Sequence, residues 1–303
     1  MTTDGDLSPG VRDDLSTLVT ARSLQRHTEW VSQAPEEIPG LLQAAGFTLV
    51  GAGLAPTDGG GQGYVARRGD QLVIAFRGSK GERLLETLRN VRADIDVRRE
   101  RPDAVMPDVD GAAAHEGFYR EYLSFQRGVR AAAATAPGAE VFVTGHSLGS
   151  AIATHCAVDL AVAQRRPVTL ICSGTPRVGN RDYAEGALAA LGGAALRVVL
   201  HRDPVPRLPL HRTDKRGFWH LRPLLCLEAD GSPTPLDEID GDLSSVKKKL
   251  DATESHDRDL YKAALTRLVT AYAQNPSLLR AAWGPAPFFA AGDAEAKSVA
   301  GLI

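Results

Sequence analysis

Through the middle of the chain, nearly continuous apolar runs alternate with longer segments of helical period. Residues 140–145 (EVFVTG), 167–174 (PVTLICSG) and 195–202 (ALRVVLHR) read as strands with both faces buried, and helical runs begin near His115, Ser147 and Asn180. Strands of this kind separated by helices predict an α/β fold, a mostly parallel central sheet with helices on both faces. Ahead of them, 36–46 (EEIPGLLQAAG) predicts a short helix and 47–55 (FTLVGAGLA) a strand. Residues 64–79 predict two strands joined at Arg68-Gly69-Asp70, a hairpin signal. Further on, Gly217 to Asp230 reads as a short β excursion ending in Asp-Gly, Ser255 to about Ala273 as a helix, and the Pro-, Ala- and Gly-rich tail from Pro285 as a surface segment. No repeat, long linker or break in composition divides the chain. The expectation is one domain over 1–303, with an N-terminal extension (1–45) and a C-terminal tail (275–303).

Composition narrows the class. A chain of 303 residues, 43% hydrophobic and 24% charged, can bury a full-sized core, and a net charge of -2 supplies no field to draw in nucleic acid or an anionic membrane surface. Cys156, Cys172 and Cys226 are far apart and fit no paired metal-ligand spacing, so they read as small buried residues of a reducing compartment. The N-terminus has no basic region followed by an apolar run, and no stretch reaches the roughly 18 apolar residues of a membrane span. A cytoplasmic location is expected. His115-Glu116 is not followed by a second histidine at helical spacing, which removes the zinc-protease reading, and no metal or organic cofactor is expected.

The chemistry concentrates at Gly145-His146-Ser147-Leu148-Gly149, between an apolar strand and an Ala-rich helix. A chain with 30 glycines yields such a pattern by chance often enough that context must decide. Here the context is the one required: a sharp strand-to-helix turn strains its central residue, lifts the serine oxygen above the sheet, and offers helix N-terminal N–H groups to a developing oxyanion. A serine hydroxyl needs a base, and the base an orienting acid. In α/β-hydrolases the chain order is Ser, then Asp or Glu, then His. Asp203 follows the strand ALRVVLHR and turns the chain with Pro204, at the sheet edge where catalytic groups gather. Three histidines follow: His211 in a Pro-rich loop, His220 inside the β excursion, and His256 at the start of the last helix. Spacing favours His256 without excluding the other two.

Taken in order, LVIAFRGS (72–79), His115-Glu116-Gly117-Phe118, GHSLGSAIA (145–153), GTPRVGN (174–180) and RVVLHRDPVPRLP (197–209) resemble the block signature of the class 3, fungal-type lipases of the α/β-hydrolase superfamily. Ser255-His256 with Tyr261 is similar to that family's histidine block, and Gly217-Phe218-Trp219-His220 to its non-catalytic turn. The resemblance covers roughly 65 to 265. It implies Ser147 as nucleophile, Asp203 as acid, His256 as base, and Ser79 with the N–H of Leu148 as oxyanion hole. It also implies a lid within 80–114, with Leu84, Leu85, Leu88 and Val91 on one helix face; a permanently docked surface helix has the same pattern. Ser150 departs from the family, which usually carries glycine there, and the segment between Ser79 and His115 is longer and more charged than usual.

The implied activity is hydrolysis of acyl esters, acylglycerols foremost, through an acyl-enzyme, as in a triacylglycerol lipase or carboxylesterase. A phospholipase A or acyltransferase of the same chemistry is the alternative. A non-catalytic scaffold with this fold has no need of Ser147, Asp203, His256 and Ser79 together. His115 and His146 are expected to pack or support, His155 to be a satisfied core or surface residue, and Phe288 and Phe289 to bury against the domain.

Overall fold

The structure, a computed structural model, describes residues 9–51, 53–54, 61–78, 98–209, 217–221, 224–234 and 253–275. Seven strands form one sheet in the order β1-β2-β3-β6-β7-β8-β9. They are β1 (Thr48–Leu49), β2 (Gly63–Arg68), β3 (Gln71–Phe76), β6 (Glu140–Gly145), β7 (Val168–Ser173), β8 (Ala195–Leu200) and β9 (Leu224–Leu227). β1, β2 and β3 pair antiparallel, and every pairing from β3 to β9 is parallel. Two short strands, β4 (Arg99–Glu100) and β5 (Ala114–His115), pair apart from the sheet.

Alternation along the strands decides what each face covers. In β3, Leu72, Ile74 and Phe76 face a core built with α3 (Glu116–Ala134), α4 (Leu148–Ala163) and α5 (Arg181–Ala190), while Val73 and Ala75 face a second core. The second core is closed by α1 (Pro9–Trp30), α2 (Ile38–Ala44) and α6 (Arg258–Gln274). Leu18 and Leu24 of α1 are buried there beside Tyr261, Leu265 and Tyr272 of α6. Helices α1 and α2 thus supply part of the cover on this face. Cys156, Cys172 and Cys226 are buried free thiols.

Two predicted elements come out differently. Within the strand expected over 47–55, Thr48–Leu49 pair as a strand; past Val50, Gly51 and Gly53 take positive φ (72° and 86°) and Leu54 returns as a single bridge to Gly63. The β excursion at 217–230 is, at Leu224–Leu227, the edge strand of the main sheet, parallel to β8 in the register Arg197↔Leu224. Its short, continuous apolar run belongs to the same class as the central strands. The hairpin forms as expected, with Arg68 opposite Gln71 and Gly69 at φ 56° in the turn.

Two histidines are core residues. His27 is buried between Trp30 and Phe47, with Nδ1 2.8 Å from the Tyr64 hydroxyl, and burial, then the Arg68 charge, lowers its pKa from 6.5 to about 3. His155 pairs Nδ1 with the Tyr183 hydroxyl at 2.7 Å, and burial, then His115, lowers its pKa to about 3. Unfolding exposes both to water, where they titrate near 6.5, so the unfolded chain binds more protons between pH 6.5 and 3. Their neutral-state contribution is complete above pH 6.5 and is lost as pH falls. Thermal unfolding should show a midpoint steady from pH 8 to 7 that drops between pH 6.5 and 5, above the range where carboxylates dominate; a midpoint unchanged across that interval would contradict the assignment.

Candidate active site

The register of the sheet creates a crowded corner. β3 and β6 run in parallel from Gln71↔Glu140 to Phe76↔Gly145, so both leave the sheet side by side. The chain then reverses into α4 through His146 and Ser147, and Ser147 takes φ 59°, ψ -130°, a conformation side chains rarely accept. A Cβ on Gly145 would lie 2.2 Å from the carbonyl oxygen of Gly149, and one on Gly149 2.3 Å from that of Phe76. Only glycine fits at either place. The Ser147 N–H donates to the Ser173 carbonyl at 3.1 Å, tying the turn to the end of β7. Ser150, the departure noted in the sequence, is fully buried and donates its hydroxyl to the Ser147 carbonyl, which strengthens the turn from below.

Asp203 is buried just past the end of β8. Its Oδ1 accepts the Val205 N–H at 2.8 Å; its Oδ2 accepts the Tyr261 hydroxyl at 2.5 Å and lies 2.7 Å from His256 Nδ1. The Tyr261 oxygen in turn accepts the Leu200 N–H at 3.1 Å, so one hydroxyl joins the strand end to the carboxylate. His256 closes a short 3-10 turn, Thr253–His256, immediately before Asp257 caps α6 through the N–H groups of Asp259 and Leu260. Arg177, buried, donates Nη1 to the carbonyls of Arg207 (2.6 Å) and Pro209 (2.8 Å) and pins the far side of the Asp203 loop.

His256, His146 and Asp203 converge at the end of β7. A Cβ on Gly174, the residue after Ser173, would stand 3.0 Å from His256 Cε1, 3.1 Å from His146 Cε1 and 3.2 Å from Asp203 Oδ2. Ser147 Oγ and His256 Nε2 are both buried, and among the described residues neither has a hydrogen-bond partner. Two buried polar atoms left unsatisfied are costly. Leu148 is the first residue of α4, where an N–H has no partner within the helix.

Of the three histidines open on spacing, the structure brings His256 to Asp203. His220 Nε2 instead lies 2.6 Å from the Pro206 carbonyl, and His211 lies outside the described residues. Ser79, Leu84, Leu85, Leu88, Val91, Phe288 and Phe289 also lie outside them; the last described residue before Ser79 is Gly78, whose added Cβ would meet the His146 carbonyl oxygen at 2.6 Å and Ser147 Cβ at 3.1 Å. His115 caps α3, accepting the Phe118 N–H at 3.4 Å, and stacks on the Phe118 ring. Neither the Tyr261 hydroxyl's hold on Asp203 nor the Arg177 anchor follows from local sequence pattern. A lone arginine amid an apolar, glycine-bounded block was the available signal for the second.

Among the described residues, no group of three or more His, Cys, Asp or Glu side chains is placed to hold a metal ion, and no helix is long and apolar enough to cross a membrane.

The family Lipase (class 3) matches residues 73–213. A secreted mono- and diacylglycerol lipase A of Penicillium cyclopium is 31% identical over 192 residues, 60% of this chain and 58% of that protein. A chloroplastic/mitochondrial phospholipase A1 of Oryza sativa subsp. indica is 31% identical over 247 residues, 69% of this chain and 55% of that protein. The chain therefore spans a little over half the length of these curated relatives. Among solved structures, the native propeptide complex of Rhizomucor miehei lipase superposes with a TM-score of 0.56 at 25% identity, over 71% of this chain and 69% of the other. The names of the two relatives place them outside the cell or in organelles, so the expected cytoplasmic location finds no support there.

The Tyr261 hydroxyl predicts its own test. Tyr261→Phe leaves the Leu200 N–H without its acceptor and Asp203 with one donor fewer, which should cost about 1–3 kcal/mol. Urea unfolding checks it; a midpoint within error of the unmodified chain would show that the hydroxyl contributes nothing net.

Proposed function

Residues 73–213 belong to the class 3 lipases, and on that footing we propose that the chain is a serine carboxylester hydrolase acting on acylglycerols. The observation that carries the proposal is the pair of unsatisfied buried atoms, Ser147 Oγ and His256 Nε2, beside a His256 whose other nitrogen is engaged by Asp203. With Nδ1–H held by the carboxylate, Nε2 is the bare nitrogen and can take the Ser147 proton as Oγ attacks the ester carbonyl. The resulting oxyanion would be received by the N–H of Leu148, at the positive end of α4, together with Ser79. Collapse of the tetrahedral intermediate expels the alcohol, which leaves with the proton from His256. Water then repeats the sequence on the acyl-enzyme, releasing the fatty acid and restoring Ser147.

Asp203 fits its role through its surroundings. Three donors converge on one buried carboxylate, so it is held as an acceptor and fixes the tautomer of His256. The likeness to a phospholipase A1 over 69% of this chain favours a second substrate class, phospholipids, for the same site. In the same reading, residues 80–114 include a lid whose Leu84, Leu85, Leu88 and Val91 meet lipid when it opens, and the whole of 1–303 is one domain.

Ser147→Ala should lower esterase kcat by on the order of 10⁴ to 10⁶ with an unchanged unfolding midpoint, and abolish labelling by a fluorophosphonate probe. Asp203→Asn should cost roughly 10⁴, through the wrong tautomer. Retention of more than about a tenth of the activity by Ser147→Ala would end the assignment. A substrate panel of p-nitrophenyl esters, a triacylglycerol and a phospholipid decides between the substrate classes. Serine at 84, 85 and 88 should depress turnover of emulsified long-chain esters far more than of a soluble short ester; equal losses with a lowered melting temperature would mark these leucines as core.

A further inference from the structure

His146 stands between the two halves of the site and belongs to neither in the mechanism above. It precedes the nucleophile, and its ring is buried. Nε2 lies 3.0 Å from the main-chain carbonyl of His256, and Nδ1 3.0 Å from Ser173 Oγ. The rings of His146 and His256 stack with centroids 4.6 Å apart and planes inclined by 29°, and the Tyr261 ring meets His146 edge-on at 5.2 Å. A carbonyl only accepts, so Nε2 carries the proton and donates it. In a neutral ring Nδ1 is then bare, and the Ser173 hydroxyl donates to it. Burial, followed by the charges of His256 and Arg258, pushes the His146 pKa well below its usual 6.5, which agrees with a neutral ring.

We propose that His146 is a positioning residue that registers the base against the nucleophile, by donating from Nε2 to the His256 carbonyl while its ring supports the His256 imidazole from below. The inference rests on the reading of Ser147 and His256 given above. Its physical content is distance control. Ser147 comes from the β6–α4 turn and His256 from a segment 110 residues beyond His146, and this hydrogen bond and stack link the two directly. Asp203 engages the His256 ring at Nδ1 and sets its orientation, whereas the His146 bond acts on the main chain of the 3-10 turn. A neutral ring also suits the place: when His256 takes the Ser147 proton, a charged His146 would set two cations face to face, whereas a neutral one leaves only stacking and the carbonyl bond.

The test uses the full chain with His146→Leu, which removes both polar contacts, and His146→Gln, whose side-chain amide can still donate near the Nε2 position. On p-nitrophenyl butyrate, His146→Leu should lower kcat about a hundredfold with KM within about threefold, the signature of misplaced reacting groups. His146→Gln should recover at least about tenfold of that loss. Because His146 acts through His256, adding His146→Leu to His256→Ala should slow the residual rate by less than about twofold. A kcat for His146→Leu within about threefold of the unmodified chain, no recovery by glutamine, or the same factor lost in the His256→Ala background would each overturn the proposal. Should His146→Leu fail to fold, nitrogen-15 spectra of the unmodified chain still decide: a protonated Nε2 and bare Nδ1 at His146 are expected, and the opposite tautomer overturns the assignment. If Ser147→Ala and His256→Ala themselves stay active, the underlying reading of the site falls, whatever His146 does.

Discussion

Everything at this site follows from a shortage of space where β6 meets α4. A parallel sheet delivers adjacent strands to the same edge, and here the ends of β3 and β6 arrive together with a helix that must begin within three residues. The corner closes only if Gly145 and Gly149 bring no side chain to it, and Ser147 accepts a backbone conformation it would not choose. That strain needs support, and the support is visible: the Ser147 N–H on the Ser173 carbonyl, the Ser150 hydroxyl on the Ser147 carbonyl, and a helix buried along nearly its whole length. The return is a hydroxyl set apart from any hydrogen-bond partner among the described residues. An unstrained turn would let that oxygen fold back on its own backbone, as serine does at ordinary helix starts.

The rest of the site is arranged around carbonyls and hydroxyls that hold loops in place. Asp203 is fixed from its own loop, from α6 and from the 3-10 turn at once, and Arg177 anchors the loop's far side by its carbonyls. These contacts are short and buried, in an interior where a missing partner is costly. The consequence is a constellation made from rigid strand ends and helix starts, with its precision built into backbone hydrogen bonds.

How much of this was legible depends on the range of the signal. The continuous apolar runs of β6, β7 and β8 marked a buried parallel sheet, and Gly145 and Gly149 marked the turn, because both signals sit within a few residues. The edge strand at Leu224–Leu227 reads as an excursion in the sequence because four apolar residues do not say which neighbour they pair with. The stretch around Val50 has the composition of a strand, yet Gly51 and Gly53 take positive φ. Among the histidines, spacing left three open, since the choice depends on where α6 packs, and that is a matter of α1 as much as of the local sequence. The Tyr261 hydroxyl and Arg177 act across tens of residues and leave no periodic trace.

The clasp between α1 and α6 reaches further than stability. Arg258, two residues after His256, donates to the Thr28 carbonyl at 3.2 Å, and Lys262 pairs with Glu29 at 2.9 Å, so the segment carrying His256 is bolted to residues more than 220 positions earlier in the chain. Contacts made by α1 therefore bear on where His256 sits, although the two are more than 220 residues apart in the chain.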